Sequence, residues 1–253
     1  MNIVCIIQAR MGATRFPDKV LFDLEGKPML VQQIERLMHS KLIDTVVVAT
    51  STSIADNAIK ALCDKHRYSC FRGSETNVLE RYYKTALAYE ANIIVRVTGD
   101  CPLVDPEVTD KVIQYYLDNN YDYVSNTLVP TYPDGLDTQV FSFRVLGKAN
   151  KEATTKLERE HVIPYIKNHP DIFSLANVEC EQDLSYMRWT VDYPEDLKFI
   201  RAVYKRLFRN NKRFGYKNVV KLLERNPWMM ELNSKFKRDE AYHKEVQNDR
   251  RNR

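Results

Sequence analysis

The sequence predicts one α/β domain built on a mainly parallel sheet with helices on both faces. Three observations carry that expectation. Short β-branched runs at residues 3–7, 44–50 and 93–97 read as buried strands. Segments with apolar residues at helical spacing alternate with them, the signature of β-α-β units. No Pro/Gly/Ser-rich linker and no internal repeat divides the 253 residues, a length one large domain can fill.

The first run, Ile3-Val4-Cys5-Ile6-Ile7, breaks into a loop, Gln8-Ala9-Arg10-Met11-Gly12-Ala13-Thr14-Arg15-Phe16-Pro17-Asp18-Lys19. Ligands of open α/β sheets bind beyond the carboxyl ends of the strands. Two arginines and a lysine at that place make an anion site, since Arg grips two phosphate oxygens and Lys adds a mobile charge. Gly12 lets the backbone approach a phosphate. A basic surface loop is the plainer reading of R-x-G-x-x-R taken alone.

Residues 20–24 lead to a turn at Glu25-Gly26-Lys27-Pro28, whose proline suits a helix start. Met29, Leu30, Ile34, Leu37 and Met38 recur at helical spacing. Residues 44–50 form a second strand, and one of Ser51, Thr52 and Ser53 is expected to cap a helix over 54–66. A short strand at 70–74, a helix over 78–90 and the strong strand ending on Thr98-Gly99-Asp100 follow. A helix over 107–117 and a strand at 121–125 complete this half.

Residues 127–137 hold two prolines and one glycine without any period, and read as a loop or protruding arm. A strand is expected at 139–143, helices at 145–151 and 156–168, and strands at 173–178 and 187–191. Helices at 194–207 and 217–226 follow. The division is a domain over 1–233 with its arm near 127–150, then a charged tail over 234–253, frayed or partly helical.

Composition excludes more than it assigns. The net charge of +4 and pI of 8.7 are too mildly basic to argue for nucleic acid. No apolar run approaches ~18 residues, so no membrane span is expected. The five cysteines lack metal spacing and read as reduced thiols of a cytoplasmic protein.

Asp100 ends its strand facing the crevice of Arg10 and Arg15, where a carboxylate commonly holds Mg²⁺ beside phosphate oxygens. Asp192 closes the 187–191 segment in the same way. For Asp192, Glu195 and Asp196, helix capping is the plainer role. Arg72 and Arg81 add cations after the short strand, or belong to a charged surface face. Glu158 and His161 share a helix face. That spacing fits half a metal site, though a structural or substrate-facing imidazole fits His161 better.

The ordered set of motifs resembles the nucleotidyltransferases that make CMP-activated acidic sugars: CMP-Kdo synthetase, acylneuraminate cytidylyltransferase and, nearest, the SpsF-type spore-coat polysaccharide proteins. It begins with the loop from Gln8 to Lys19 and continues with Gly26-Lys27-Pro28, Val48-Ala49-Thr50-Ser51 and Val97-Thr98-Gly99-Asp100-Cys101-Pro102-Leu103. Asp134-Gly135-Leu136-Asp137, Arg159-Glu160-His161-Val162 and Val191-Asp192-Tyr193-Pro194-Glu195-Asp196-Leu197 complete it.

The resemblance implies a Rossmann-like sheet of the nucleotide-diphospho-sugar transferase type, with the 127–150 arm as a dimerisation segment. It implies a homodimer that transfers CMP from CTP to a sugar or phosphorylated acceptor, with Mg²⁺. Arg10, Arg15 and Lys19 would grip the triphosphate, within a loop set of Gln8, Ala9, Gly12, Ala13 and Thr14. Ala49, Thr50, Ser51, Arg72 and Thr98 would line the nucleoside, and Asp100 and Asp192 would ligate magnesium. Ala13 stands where many members have Ser, which removes one phosphate hydrogen bond. A glycosyltransferase on the same fold is the alternative, but a nucleoside diphosphate sugar does not need three cations for a triphosphate.

Overall fold

The computed structural model describes residues 1–209, 213–238, 240, 242, 245 and 246. In chain order the strands are β1 (Ile3–Gln8), β2 (Asp23–Leu24), β3 (Lys27–Pro28), β4 (Thr45–Ser51), β5 (Ser69–Gly73), β6 (Ile93–Thr98), β7 (Tyr123–Ser125), β8 (Gln139–Ser142) and β9 (Leu175–Asn177). The helices are α1 (Met29–Leu37), α2 (Asn57–His66), α3 (Val78–Ala88), α4 (Pro106–Asp118), α5 (Phe143–Glu152), α6 (Lys156–His161), α7 (Pro164–Asn168), α8 (Pro194–Leu207) and α9 (Tyr216–Arg225).

Seven strands form one sheet in the order β5-β4-β1-β6-β8-β7-β9, and β2 pairs with β3 as a separate hairpin. Pairing is parallel from β5 through β6 and between β7 and β9, while β8 runs antiparallel to both neighbours. Strand alternation splits the core. Ile3, Cys5 and Ile7 pack on one face of β1, and Val4 and Ile6 on the other. A sheet covered on both faces explains why its central strands read as nearly unbroken apolar runs.

The chain leaves β1 toward β4 on one side and later returns as β6 on the other. The strand order therefore reverses at β1, and a crevice opens beyond the carboxyl ends of β1 and β6. Register makes those ends level, with Gln8 opposite both Ala49 and Thr98. Gly99 sets how closely the two exits approach. A Cβ there would lie 2.7 Å from the Gln8 carbonyl oxygen, so only glycine fits without moving a strand.

Several expectations are corrected. No hydroxyl of Ser51, Thr52 or Ser53 caps α2, which starts later, after Asp56. The helix expected over 156–168 is broken into α6 and α7. Val162 there adopts φ 71° and Pro164, lacking an N–H, opens the second helix. Residues 187–191 form no ladder strand, only a bridge between Asp134 and Arg188.

Much of the 127–150 segment is packed into the fold, while Val129 is exposed. Tyr132 and Leu136 are buried, β8 lies inside the sheet and α5 packs on α3. In the tail, Phe236 stacks on Tyr193 with ring centroids 3.8 Å apart, and residues 240, 242, 245 and 246 are helical, the second of the two forms expected for it. The rest of the tail, at 239, 241, 243, 244 and 247–253, lies outside the described residues. Among those described, no helix is long and apolar enough to cross a membrane.

Candidate active site

The loop after β1 is fixed from below. Asp56 accepts the backbone N–H of Met11 at 2.7 Å and that of Ser51 at 3.0 Å, tying the loop to the end of β4. Burial alone would raise the Asp56 carboxyl, but these N–H donors and the Ser51 hydroxyl outweigh it and lower its pKa. The loop then turns through Asp18, at φ 60°, and drives Lys19 inward.

Lys19 joins the two ends of the chain. Its ammonium donates to Asp100 Oδ2 at 3.1 Å, to Asp192 Oδ1 at 3.0 Å and to the Val191 carbonyl at 2.7 Å. Burial pulls the Lys19 pKa down, yet the two carboxylates outweigh it and raise it. Arg15 reaches the same Asp192 Oδ1 at 2.8 Å. Burial alone would raise Asp192, but Lys19 and Arg15 hold it well below the usual carboxylate range.

Asp192 is not a helix cap. Asp196 accepts the backbone N–H groups of Asp192 and Tyr193 at the start of α8, leaving the Asp192 side chain for the cations. Arg188 holds it from the other side at 3.1 Å and also binds Asp134 at 3.0 Å and Asp196 at 3.0 Å. Arg188 is a residue that sequence reasoning missed. Asp192 and Asp196 lie only four and eight positions on, but Arg188 sits in no helix that would make such a spacing a shared face, and Asp134 is 54 positions away.

Two adjoining cavities meet at this cluster. One, of about 250 Å³, is lined by Gln8, Ala9, Arg10, Ala13, Thr14, Arg15, Lys19, Thr98, Asp100 and Asp192, together with Arg81. The other, of about 290 Å³, shares Gln8, Arg15, Thr98, Asp100, His161 and Asp192 and adds Arg96, Thr127, Gln139, Lys167, Arg188 and Lys237. Alternation places Gln8, Arg96 and Gln139 side by side. Arg96 donates to the Gln139 side chain at 2.6 Å and to that of Gln8 at 3.0 Å. One arginine in the otherwise apolar β6 was the available signal for it.

Most of the expected nucleotide residues thus come together, and a few do not. Ala49, Thr50 and Ser51 are buried and line neither cavity. Arg72 is turned back onto the Ser51 and Ser53 carbonyls, at 2.8 Å each, and onto Asn57. Gly12 stays on the loop without lining the cavities. Glu158 closes a capping box with Thr155, so it does not pair with His161. His161 faces both cavities and meets Glu245 at 2.6 Å.

A model of the family described as cytidylyltransferase matches residues 4–218. This chain is a cytidylyltransferase. It is 39% identical over 236 residues to the uncharacterized protein MJ1063 of Methanocaldococcus jannaschii, covering 92% of this chain and 95% of that one. It is 35% identical over 233 residues to the spore coat polysaccharide biosynthesis protein SpsF of Bacillus subtilis, covering 89% and 95%. A solved cytidylyltransferase from Leptospira borgpetersenii superposes with a TM-score of 0.87 at 31% identity, over 91% of this chain and 97% of its own.

Family membership makes this cytidylyltransferase a CTP-dependent nucleotidyltransferase. It also favours CMP transfer over the glycosyltransferase alternative. The cavity beneath the β1 loop is lined by four cations, Arg10, Arg15, Lys19 and Arg81, and by the carboxylates of Asp100, Glu160, Asp192 and Glu245.

Proposed function

We propose that this cytidylyltransferase transfers CMP from CTP to a hydroxyl of a sugar or phosphorylated small-molecule acceptor, releasing pyrophosphate. The observation that carries the reading is the pair of cavities meeting at Arg15, Asp100 and Asp192. A displacement at the α-phosphorus needs the nucleotide on one side and the acceptor on the other, and shared walls put the reacting atoms at that seam.

The β1 loop receives the triphosphate. Arg10, Arg15 and Lys19 neutralise the charge that grows on the leaving pyrophosphate, which is most of what phosphoryl transfer asks of a protein. The second cavity receives the acceptor. Asp134, Asp137 and Asp192 there are each paired with an arginine. Arg96 is held instead by two neutral amides, and Lys167 and Lys237 stand at the rim. Asp100 and Glu240 line the cavity too, so it is Arg96, held by neutral groups, that suits an acidic or phosphate group on the acceptor.

Asp100 and Asp192 fit Mg²⁺ by their chemistry. Both are hard oxygen donors, and both already converge on one cationic group, the Lys19 ammonium. Bound there with phosphate oxygens, Mg²⁺ would supply charge neutralisation at the α-phosphate. Lys19 positions both carboxylates.

The SpsF relative's name supports a place in surface polysaccharide or glycoconjugate synthesis. We expect a cytoplasmic homodimer that uses neither nucleic acid nor membrane as a partner. The test is the initial rate of pyrophosphate release with each of the four nucleoside triphosphates, against sugars and phosphorylated alcohols. CTP should exceed UTP by at least about 100-fold in kcat/KM, because uracil would leave buried hydrogen-bonding groups unpaired. Equal use of UTP and CTP would refute the base assignment.

A further inference from the structure

Arg81 is the fourth residue of α3, and it is 2% exposed. Its stem runs beneath Gly73, where a Cβ would come within 3.0 Å of Arg81 Cγ. The guanidinium lies on the wall of the loop cavity, with Arg10, Ala13 and Thr14. Its Nη1 donates to the Ser74 carbonyl at 2.8 Å, and its Nε is buried without any partner. No carboxylate among the described residues forms an ion pair with it. Asp56 is near, but its oxygens are taken by Met11 and Ser51.

A buried cation without a direct ion pair is costly to the free protein, and the through-space attraction of Asp56 and Glu75 offsets only part of that cost. Burial lowers the Arg81 pKa, and the like charge of Arg10 adds to that effect. Arg10 itself makes no hydrogen bond or ion pair among the described residues. Two neighbouring arginines, neither in an ion pair with a carboxylate of the described residues, line one cavity. An anion arriving from outside would relieve both.

We propose that Arg81 is a further phosphate-binding residue of the nucleotide site, closing with Arg10 on one phosphate group of CTP. The proposal rests on the CTP reading given above. The sequence does not separate it from a charged helix face, because burial of position 81 depends on Gly73 and on how α3 packs over β5. The fork geometry of arginine matters here. With Nη1 anchored on Ser74 and Nε buried, Nη2 remains for a phosphate oxygen.

The experiment measures CTP and pyrophosphate binding by calorimetry in wild type, Arg81→Met and Arg81→Lys. Each variant should weaken CTP by about 10- to 100-fold, with the fold intact by circular dichroism. The rise in melting temperature on adding CTP should shrink in parallel. Unchanged CTP affinity in folded variants overturns the proposal. Side-chain NMR of wild type gives a second reading that no folding failure can spoil. The Arg81 Nε–H resonance should move and its guanidinium rotation slow when CTP is added. An unmoved resonance in protein that binds CTP overturns the role of Arg81 alone. A wild type that binds no triphosphate overturns both this proposal and the proposed function.

Discussion

Arg10 and Arg188 flank the same pair of cavities, but their surroundings differ. Around Arg188, the guanidinium donates to Asp134, Asp192 and Asp196, and its side chain is 8% exposed. Asn233 then fills the remaining acceptor of Asp196 at 2.9 Å. Around the β1 loop, Arg10 has no partner among the described residues. Arg15 has one ion pair, and its side chain is 38% exposed. The cation of the hub is saturated within the protein, as is Lys19, whereas Arg10 is left for a ligand and Arg15 is only partly engaged. Asp192 belongs to both groups, which is how the hub aims the site.

If that division is right, the hub should fail as structure and the loop as function. The largest effect is expected at the hub. Arg188→Met would leave Asp134 and Asp196 buried without their cation. Breaking a buried pair from one side costs about 3–5 kcal/mol. Urea unfolding measures it, and a loss below about 1 kcal/mol would remove the hub from the structural side of the comparison.

Asp100→Asn should do the reverse. It keeps volume but removes an anion that faces both cavities. Turnover should fall at least about 100-fold, the scale of losing one charge-organising group in an active site. The melting temperature should barely change, since Lys19 keeps Asp192 and the Val191 carbonyl. Ordinary rates of pyrophosphate release from this variant would move Asp100 out of the machinery.

Arg15→Ala sharpens the loop side further. It should weaken CTP more than CMP, which lacks the β- and γ-phosphates. A charge-assisted hydrogen bond is worth roughly 1.5–3 kcal/mol, or about 10- to 150-fold in affinity. Equal losses for the two nucleotides in calorimetry would place Arg15 on the acceptor side, where its second cavity already lies.

The comparison also explains what was legible in the sequence. β1, β4, β6 and α8 were readable because burial on both faces, or a capped amphipathic period, writes itself into adjacent residues. The loop cations and Asp100 were readable because a strand end locates them. The hub was not, because Arg188 lies outside any helix or strand, so its spacing to Asp192 and Asp196 marks no shared face, and Asp134 is 54 positions away; neither was the link from Lys19 to Asp192 across 173 positions. Asp192 looked like a cap because it precedes a helix opened by proline. Capping was open to Asp192, Glu195 and Asp196 alike, and the fold assigns it to Asp196. Ser51 looked like a nucleoside contact because it ends a strand, but Asp56 turns its hydroxyl inward at 2.5 Å.

The smallest expected effect tests Asp192 as the joint between the two regions. Its folded pKa is depressed: burial opposes ionisation, but Lys19 and Arg15 overcome it. A carboxylate of that kind contributes stability that is fully present above its unfolded pKa of about 3.9. That stability is lost as pH falls toward the folded pKa, because the unfolded chain takes up the proton first. Lys19 works in the opposite direction. Its pKa is raised, so its contribution is complete below about pH 10 and fades only in stronger alkali. Between pH 5 and 3, then, Lys19 stays constant and Asp192 should account for about 1 kcal/mol of lost stability. Urea unfolding across that window should show a shallower slope for Asp192→Asn than for wild type. The comparison reads a difference in slope, so any constant loss from the substitution drops out. Parallel slopes would mean that the loop cations do not bind Asp192 in solution, and the joint between hub and loop would have to be sought at Asp100 instead.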